Sequence, residues 1–371
     1  MLFIQVGGYW LILYLLMTSN DSFIYGLSLP ILLFISPMMI GLIGVIWKDV
    51  HLAVAWGLAF TIVYYFVVRS IPIPWFALIP SLVLLIYGSL IRHNAFVATA
   101  PFVIYLLVGR PYLRTVTRTI FAYVAIAIVT FASLSLSTEF LYHAKRTNVF
   151  LTLPVFDWAG ITVHSGTNQF PIEFNAGELE KISDCYTTLK ADLFIWGDCK
   201  FVYESLANRM SRSDAYKAWI GAIARHPVAY VIHRLKSFAA NLCVYRCPSV
   251  PEYVSDGIYP NEFGLEIRRH ALYHMLMGYV AAFANTGLYH PVSWLVASVA
   301  VTGVAFRIGH PIAQTMGIAS ILYLFSLLPF GVSPSYRYAY PSVVLTVISS
   351  IMLLQSLSLR ALQNSAEKAA P

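Results

Sequence analysis

Three short groups of charged and aromatic residues stand at the ends of long apolar segments. The groups are Lys48-Asp49, Arg92-His93-Asn94 and Tyr336-Arg337-Tyr338. Ionisable side chains at the edge of a membrane cost free energy unless they are paired or used, so each group is a candidate site. Arg and Lys can bind a phosphate, Arg through two parallel hydrogen bonds. The residue types therefore predict the binding of an anionic group such as a lipid phosphate.

Each residue has a candidate role in that chemistry. The candidate phosphate contacts are Lys48, Arg92, His93, Asn94 and Arg337. Asp49 could orient Lys48 or accept a proton, and the rings of Tyr336 and Tyr338 could stack on a sugar. An ordinary explanation also exists, since Lys and Arg extend toward water from membrane edges and Tyr is enriched at the interface. Three such groups on one predicted side of the membrane favour the functional hypothesis.

The elements that must position these groups are membrane-spanning helices. Of the 371 residues, 58% are apolar and 11% are charged, whereas a soluble globular chain carries about 25% charged residues. This composition excludes a disordered chain, a soluble enzyme core and a nucleic-acid-binding domain, and it indicates a helical membrane protein. About nine segments have roughly the length needed to cross the hydrocarbon. They are 2–17, 26–47, 51–69, 72–91, 95–109, 119–138, 291–307, 311–329 and 341–359.

The charged residues are unevenly distributed, and this divides the chain into parts. Residues 139–269 hold 14 basic and 14 acidic side chains, which leaves 10 basic and 3 acidic residues to produce the net charge of +7. We therefore predict N-terminal transmembrane helices in 1–138 and C-terminal transmembrane helices in 291–359. Between them, 139–290 is predicted to form one mixed, mainly helical domain with interfacial helices. A short tail, 360–371, is expected to fray.

The positions of the basic residues predict the orientation. Arg110, Arg114 and Arg118 share one short loop without an acid, which places that loop in the cytoplasm. The domain in 139–290 then lies outside, and Arg360 and Lys368 place the tail inside. Counted in this way, all three candidate groups lie on the outer side.

The same count places the N-terminus outside. An external N-terminus without a cleaved signal ahead of it is difficult to make, so we expect an N-terminal segment to be missing. Two alternatives are that 2–17 does not span the membrane, and that 2–17 is itself a signal peptide, although it lacks a positive start and a small-residue cleavage site.

All four cysteines fall in the predicted outer domain: Cys185, Cys199, Cys243 and Cys247. An even number confined to one external domain predicts disulfides. Of three possible pairings, Cys185–Cys199 with Cys243–Cys247 is favoured. A zinc site is the alternative, but the spacing contains no Cys-x-x-Cys, so no metal is expected.

Residues 213–241 have the apolar spacing of a helix that begins at Ser213 and is divided by Pro227. The second half carries several basic residues among apolar ones. This pattern is typical of an amphipathic helix that lies on a membrane surface. Its role is either structural or the guidance of an anionic lipid headgroup.

Several short motifs, taken in order, resemble the GT-C superfamily of integral membrane glycosyltransferases, near the protein mannosyltransferases and the lipid A aminoarabinose transferases. The motifs are Trp47-Lys48-Asp49, Arg92-His93-Asn94 with Pro101 downstream, Asp157-Trp158-Ala159-Gly160-Ile161, the run from Leu193 to Cys199, Trp219 through His226-Pro227 to Arg234-Leu235, and Arg337-Tyr338. Each motif is short, and their order over about residues 40–341 carries the resemblance.

The resemblance implies a GT-C-like bundle in a membrane, most simply a bacterial inner membrane with the large loop outside. It implies an enzyme that moves a sugar from a polyprenyl-phosphate carrier to a glycan, lipid or protein acceptor. The lipid-linked sugar is the donor, and no separate cofactor is implied. In such enzymes a carboxylate is the base and basic residues offset the charge of the leaving phosphate, a role that Lys48, Arg92 and Arg337 match.

The chain departs from this family at the acid. Family members carry the key acidic residue in the first outer loop, and this chain is expected to begin beyond that point. Asp49 and Asp157 are the remaining candidate catalytic acids. Two alternatives are a catalytically inactive remnant or binding subunit, and a transporter of lipid-linked sugar. A transporter would usually show charges at mid-span and interrupted helices in paired halves.

Overall fold

The computed structural model describes residues 1–19, 36–92, 94–136, 148–189, 191–245, 261–266 and 269–369. These residues form helices joined by turns, and no strand occurs among them. The α-helices are α1 Leu2–Thr18, α2 Pro37–Ile40, α3 Lys48–Val68, α4 Trp75–Ile91, α5 Phe96–Val108, α6 Val116–Leu136, α7 Thr152–Ser165, α8 Ala176–Cys185, α9 Asp192–Ile195, α10 Lys200–Arg209, α11 Arg212–Arg225, α12 Pro227–Asn241, α13 Ala271–Ala282, α14 Pro291–Ile308, α15 Pro311–Phe325, α16 Leu327–Phe330 and α17 Tyr336–Ala369.

The chain divides into two compact units. Unit 1 comprises Met1–Ser137, Pro251–Phe325 and Tyr336–Pro371, and unit 2 comprises Thr138–Val250 and Ser326–Ser335. In the described part of the chain, five helical stretches are long and apolar enough to cross a membrane: Lys48–Val68, Val116–Ser133, Pro291–Ile308, Pro311–Phe330 and Tyr336–Ala361. Four shorter apolar helices accompany them, α1, α4, α5 and α13. The chain is therefore that of a helical membrane protein.

Helix α3 lies at the centre of unit 1 and is buried along most of its length. Its neighbours approach closely where they carry glycine. Gly88 of α4 faces Trp56 of α3, and an added Cβ would come within 2.6 Å of the indole nitrogen. Polar side chains also join the helices, since Ser298 shares hydrogen bonds with Ser320 at 2.8 Å and Thr346 at 2.7 Å. Small residues and interhelical hydrogen bonds are the usual means of helix packing in membranes.

The segment before α3 differs from the prediction of a continuous span over 26–47. Residues 20–35 lie outside the described residues. Residues 36–47 contain only the four-residue α2 and turns at Gly41–Gly44. Pro37 can begin a helix but Gly41 and Gly44 weaken its continuation. Lys48 and Asp49 therefore begin α3, whereas the prediction placed them at the end of the preceding span.

The C-terminal helix is longer than predicted. A span over 341–359 with a frayed tail from 360 was expected, but α17 continues from Tyr336 to Ala369. The tail is rich in Ala, Leu, Gln, Glu and Lys, which have high helix propensity, and this explains the continuation.

Unit 2 matches only part of the predicted outer domain of 139–290. Residues from 251 onward belong with unit 1, and Ser326–Ser335 returns to unit 2. The core of unit 2 is formed by Leu151, Val155, Trp158, Phe194 and Val202, with other apolar residues around them. A disulfide joins Cys185 at the end of α8 to Cys199 at the start of α10. Cys243 is also disulfide-bonded, and its predicted partner Cys247 lies outside the described residues.

The predicted helix over 213–241 is two helices, α11 and α12, divided at Pro227 as expected. The N-cap of α11 lies two residues before the predicted one. Ser211, and not Ser213, is the N-cap of α11, and its hydroxyl accepts a hydrogen bond from the Asp214 backbone N–H at 3.2 Å.

Candidate functional sites

An ion pair between the start of α3 and the end of α4 forms the centre of the first candidate site. Arg92 Nε lies 2.5 Å from Asp49 Oδ1. The Asp49 side chain is 2% exposed and the Arg92 side chain 13%. A buried carboxylate needs such a partner, because an unpaired charge in a low-dielectric environment is costly.

The beginning of α17 brings a second guanidinium to this pair. Arg92 lies over the ring of Tyr338 at 4.3 Å, and Arg337 lies 5.0 Å from the same ring. Arg337 also lies 4.9 Å from the ring of Trp47 and donates a hydrogen bond to the Tyr338 hydroxyl at 3.2 Å. Both guanidinium groups are thus positioned by aromatic rings, an arrangement that suits Arg better than Lys.

A buried tyrosine of α15 completes the cluster. The Tyr323 hydroxyl interacts with the side chains of Arg92 and Asn94. Asn94 is itself buried. The start of α3, the end of α4, the start of α17 and Tyr323 of α15 therefore meet here. Together they hold Arg92 in one orientation.

The cluster carries an excess of positive charge. Lys48, Arg92 and Arg337 all interact electrostatically with the single carboxylate of Asp49. Lys48 is exposed and Arg337 is half-buried, so two of the three cations can meet a ligand. We define these four residues as the Asp49 cluster. Its charge and partial exposure suit an anionic group.

The structure brings Lys48, Arg92 and Arg337 together around Asp49, and it gives the two tyrosines protein neighbours. Tyr336 is 6% exposed and packs against Tyr289 with ring centroids 4.9 Å apart. A buried ring cannot stack on an incoming sugar, so the expected role of Tyr336 does not fit its position. Tyr338 contacts two guanidinium groups. His93 lies outside the described residues.

The other candidate acid, Asp157 of α7, is the centre of a buried network in unit 2. Its Oδ1 lies 2.5 Å from Arg234 Nη2 and 3.1 Å from His233 Nε2. Its Oδ2 accepts a hydrogen bond from Trp219 Nε1 at 2.8 Å. Asp157 and His233 have no exposed surface. Arg234 also donates a hydrogen bond to the carbonyl of Gly331 at 2.7 Å, which ties α12 to the segment Ser326–Ser335.

Tyr186 extends this network from the carboxylate toward the surface of unit 2. Because His233 Nε2 faces Asp157, this nitrogen carries the proton, and Nδ1 accepts a hydrogen bond from the Tyr186 hydroxyl at 2.7 Å. The same hydroxyl lies 3.5 Å from Nε2 of His164, which is partly exposed. Burial lowers the pKa of His233, although the hydrogen bond to Asp157 opposes this, and burial raises the pKa of Tyr186. Both groups are therefore neutral near pH 7.

These surroundings differ from those of a base that meets substrate. Both oxygens of Asp157 are occupied, Oδ1 by buried Arg234 and His233 and Oδ2 by half-buried Trp219, and the charge of Arg234 balances that of the carboxylate. Asp157 is suited to holding α7, α11 and α12 together. Asp49 is thus the better placed of the two candidate acids.

Two contributors to the sites were not identified from the sequence. Tyr323 is a single tyrosine within an apolar span. A polar group in such a span marks a candidate functional residue, and this was the feature of the sequence that could have identified it. Tyr186 follows Cys185 in the chain and has no informative spacing to Asp157 or His233. In the described part of the chain, no group of three or more His, Cys, Asp and Glu residues could hold a metal ion.

Comparison with known proteins adds no further constraint. No family model, no curated protein sequence and no solved structure matches the chain significantly.

Proposed function

We propose that the protein is a membrane glycosyltransferase that moves a sugar from a polyprenyl-phosphate carrier to an acceptor, with the Asp49 cluster as the binding site for the carrier phosphate. The observation that carries this proposal is the convergence of three cations on one buried carboxylate at the ends of apolar helices. In this proposal the protein sits in a bacterial inner membrane with unit 2 on the outer side.

The phosphate binds first to the accessible cations. Lys48 is exposed, and Arg337 is preoriented by Trp47 and Tyr338. A phosphate oxygen then competes with Asp49 for Arg92. This exchange releases the carboxylate from its ion pair and makes it available as a base.

The proposed transfer exchanges one bond at the anomeric carbon of the sugar for another. The acceptor hydroxyl oxygen bonds to the anomeric carbon, and the bond from that carbon to the phosphate oxygen breaks. The lipid phosphate leaves with the electron pair, and Asp49 takes the hydroxyl proton. The three cations stabilise the charge on the leaving phosphate, a contribution of about 3–4 kcal/mol for one well-placed donor.

A second candidate function is a catalytically inactive subunit that binds a lipid phosphate. The burial of Asp49 favours it, because a carboxylate with 2% of its side chain exposed and an Arg partner at 2.5 Å is not yet an available base. In that case Asp49 only positions Arg92.

The test is transfer of labelled sugar from a polyprenyl-phosphate pool in membranes that contain the protein. We expect transfer by the wild type and a loss of about 100-fold or more in Asp49→Asn, Arg337→Gln or Lys48→Gln, by the magnitude measured for single charge-stabilising donors. Arg118→Gln, an exposed cation outside the cluster, is the matched control and should keep wild-type activity.

The outcomes separate the two candidates. Transfer that Asp49→Asn abolishes while the carrier still binds supports the enzyme. Carrier binding by the wild type without any transfer supports the inactive subunit. Full transfer in Arg337→Gln would contradict both, because the cluster would then not handle the phosphate.

A further inference from the structure

Helix α12 of unit 2 has the reverse of the polarity expected for a helix that faces water. Its exposed apolar residues lie at the helical spacing of one face. They are Val228 (70% exposed), Val231 (50%), Ile232 (39%) and Leu235 (53%). We define these four residues as the apolar stripe.

The opposite face of α12 is polar and buried. His233, Arg234, Ser237 and Asn241 are each at most 3% exposed. The Asp157 network holds His233 and Arg234 in place. The helix therefore cannot rotate to bury the stripe without leaving the buried charges of Asp157 and Arg234 unpaired. A fixed apolar stripe of this kind indicates contact with an apolar medium or partner.

A cavity of about 320 Å³ adjoins the start of the stripe. Both polar and apolar residues line it. The lining includes His164, Ser165, Arg225, His226, Val228 and Ile232. We call it the basic cavity, since the described residues that line it include one arginine, two histidines and no acid.

The basic charge continues along the helix. Lys236 of α12 is exposed and acts electrostatically on His164. Helix α12 contains no Asp or Glu. Val228 and Ile232 belong both to the stripe and to the cavity wall, so an amphipathic ligand could place a charged group and an apolar chain at the same time.

We propose that this surface binds an anionic lipid of the bilayer, with its phosphate in the basic cavity and an acyl or prenyl chain along the apolar stripe. A lipid is favoured over a second copy of the chain for two reasons. The same chain carries helices long enough to span a bilayer, and the cations beside the stripe complement a phosphate. The proposal uses no residue of the Asp49 cluster and does not depend on the proposed function.

The apolar half is tested on the full chain in nanodiscs. The described cysteines are all disulfide-bonded, so Val231→Cys can be labelled under non-reducing conditions with an environment-sensitive fluorophore. We expect a blue-shifted emission that lipids with a quencher on the acyl chain reduce at least twofold. Glu180→Cys on the exposed polar α8 is the matched control and should show neither effect. A blue shift without lipid quenching would indicate a protein partner and overturn the proposal, as would quenching equal to the control.

The phosphate half is tested with photoactivatable lipids in the same nanodiscs. We expect phosphatidylglycerol to crosslink to α12 more than phosphatidylcholine does, and Arg225→Gln to reduce that preference about fivefold, since one cation near a membrane surface contributes about 1 kcal/mol. Arg209→Gln, an exposed arginine at the end of α10, should leave it unchanged.

Competition identifies the source of the phosphate. If unlabelled polyprenyl phosphate displaces phosphatidylglycerol at equimolar amounts, the site binds a carrier lipid. If it does not, the site binds a bilayer phospholipid. Equal crosslinking of the neutral and anionic lipids, or no effect of Arg225→Gln, would overturn the phosphate assignment.

Discussion

Asp157 has no exposed surface, and its two oxygens contact an imidazole, a guanidinium and an indole. The surroundings of Asp49 differ, since its cluster includes one exposed and one half-buried cation. The sequence identified both residues as acids of interest and could not separate them. Their partners lie far away in the chain, at Arg92 and at Trp219, His233 and Arg234, and no local spacing encodes those contacts.

The buried carboxylate of Asp157 is paired with the guanidinium of Arg234. Asp157→Asn leaves the charge of Arg234 buried beside a neutral amide, so unit 2 should be destabilised by about 3–5 kcal/mol. Hydrogen exchange of the peptides from α7 and α12 measures this local opening. The exposed change Glu180→Gln should stay within about 0.5 kcal/mol. Equal protection in Asp157→Asn and the wild type would show that the network does not hold unit 2 together.

A second prediction concerns pH. Burial lowers the pKa of His233 in the folded protein, so the unfolded state binds the proton more readily. The free energy of unfolding of unit 2 should therefore be highest above the unfolded pKa of about 6.5. It should fall as the pH drops below that value, by up to about 1.4 kcal/mol per pH unit.

Hydrogen exchange of α12 between pH 7.5 and 5.5, corrected for intrinsic exchange, tests this. His233→Gln should flatten the slope. His164, whose pKa burial also lowers, supplies a smaller remaining slope, and the exposed His270→Gln in unit 1 should change nothing. A wild-type protein whose stability rises as the pH falls toward 5.5 would contradict this prediction.

The close approach of α7 and α12 depends on a glycine, Gly160 of α7. A Cβ on Gly160 would overlap the ring of His233, which is itself held by Asp157 and Tyr186. Gly160→Ala should therefore destabilise unit 2 by at least about 1–3 kcal/mol, the usual cost of overpacking.

Gly177→Ala in α8 is a matched control. A Cβ there meets only Asn175 at 3.6 Å, an ordinary contact. Alanine also has the higher helix propensity, so the change should be neutral or slightly stabilising. Thermal unfolding of both variants in detergent compares them directly. A Gly160→Ala variant as stable as Gly177→Ala would mean that the two helices are not packed as described.

The prediction of elements from sequence succeeded where long apolar runs were uninterrupted. Helices α3, α14 and α15 begin within three residues of their predicted spans. The errors occurred where backbone conformation decides the outcome. The glycines of 41–44 end a predicted span, Ser211 replaces Ser213 as a cap, and favourable helix propensity extends α17. Hydropathy alone does not measure these local preferences.

Composition predicted a membrane protein with one polar insert, and the five long apolar helices among the described residues agree with the membrane assignment. The insert boundary was less predictable. Ser326–Ser335 is separated from the rest of unit 2 by many residues, yet it belongs there, tied in part by the bond from Arg234 to Gly331. Such a return depends on a specific long-range contact, which charge density along the chain cannot reveal.

We propose a phosphate site on unit 1, where Lys48, Arg92 and Arg337 surround Asp49. This site is separate in its residues from the lipid surface inferred on unit 2, so the two can fail independently. Loss of lipid contact at Val231 would leave the Asp49 cluster intact. Loss of carrier binding at Arg337 would leave the apolar stripe intact.

The most direct measurement is the affinity of labelled polyprenyl phosphate for the purified full chain in nanodiscs of neutral lipid. We expect saturable binding that Arg337→Gln weakens about tenfold or more, consistent with the loss of a charge-assisted hydrogen bond worth about 1.5–3 kcal/mol. The exposed Arg118→Gln should bind as the wild type does. Equal affinity in Arg337→Gln and the wild type would contradict the assignment of the Asp49 cluster as the carrier phosphate site.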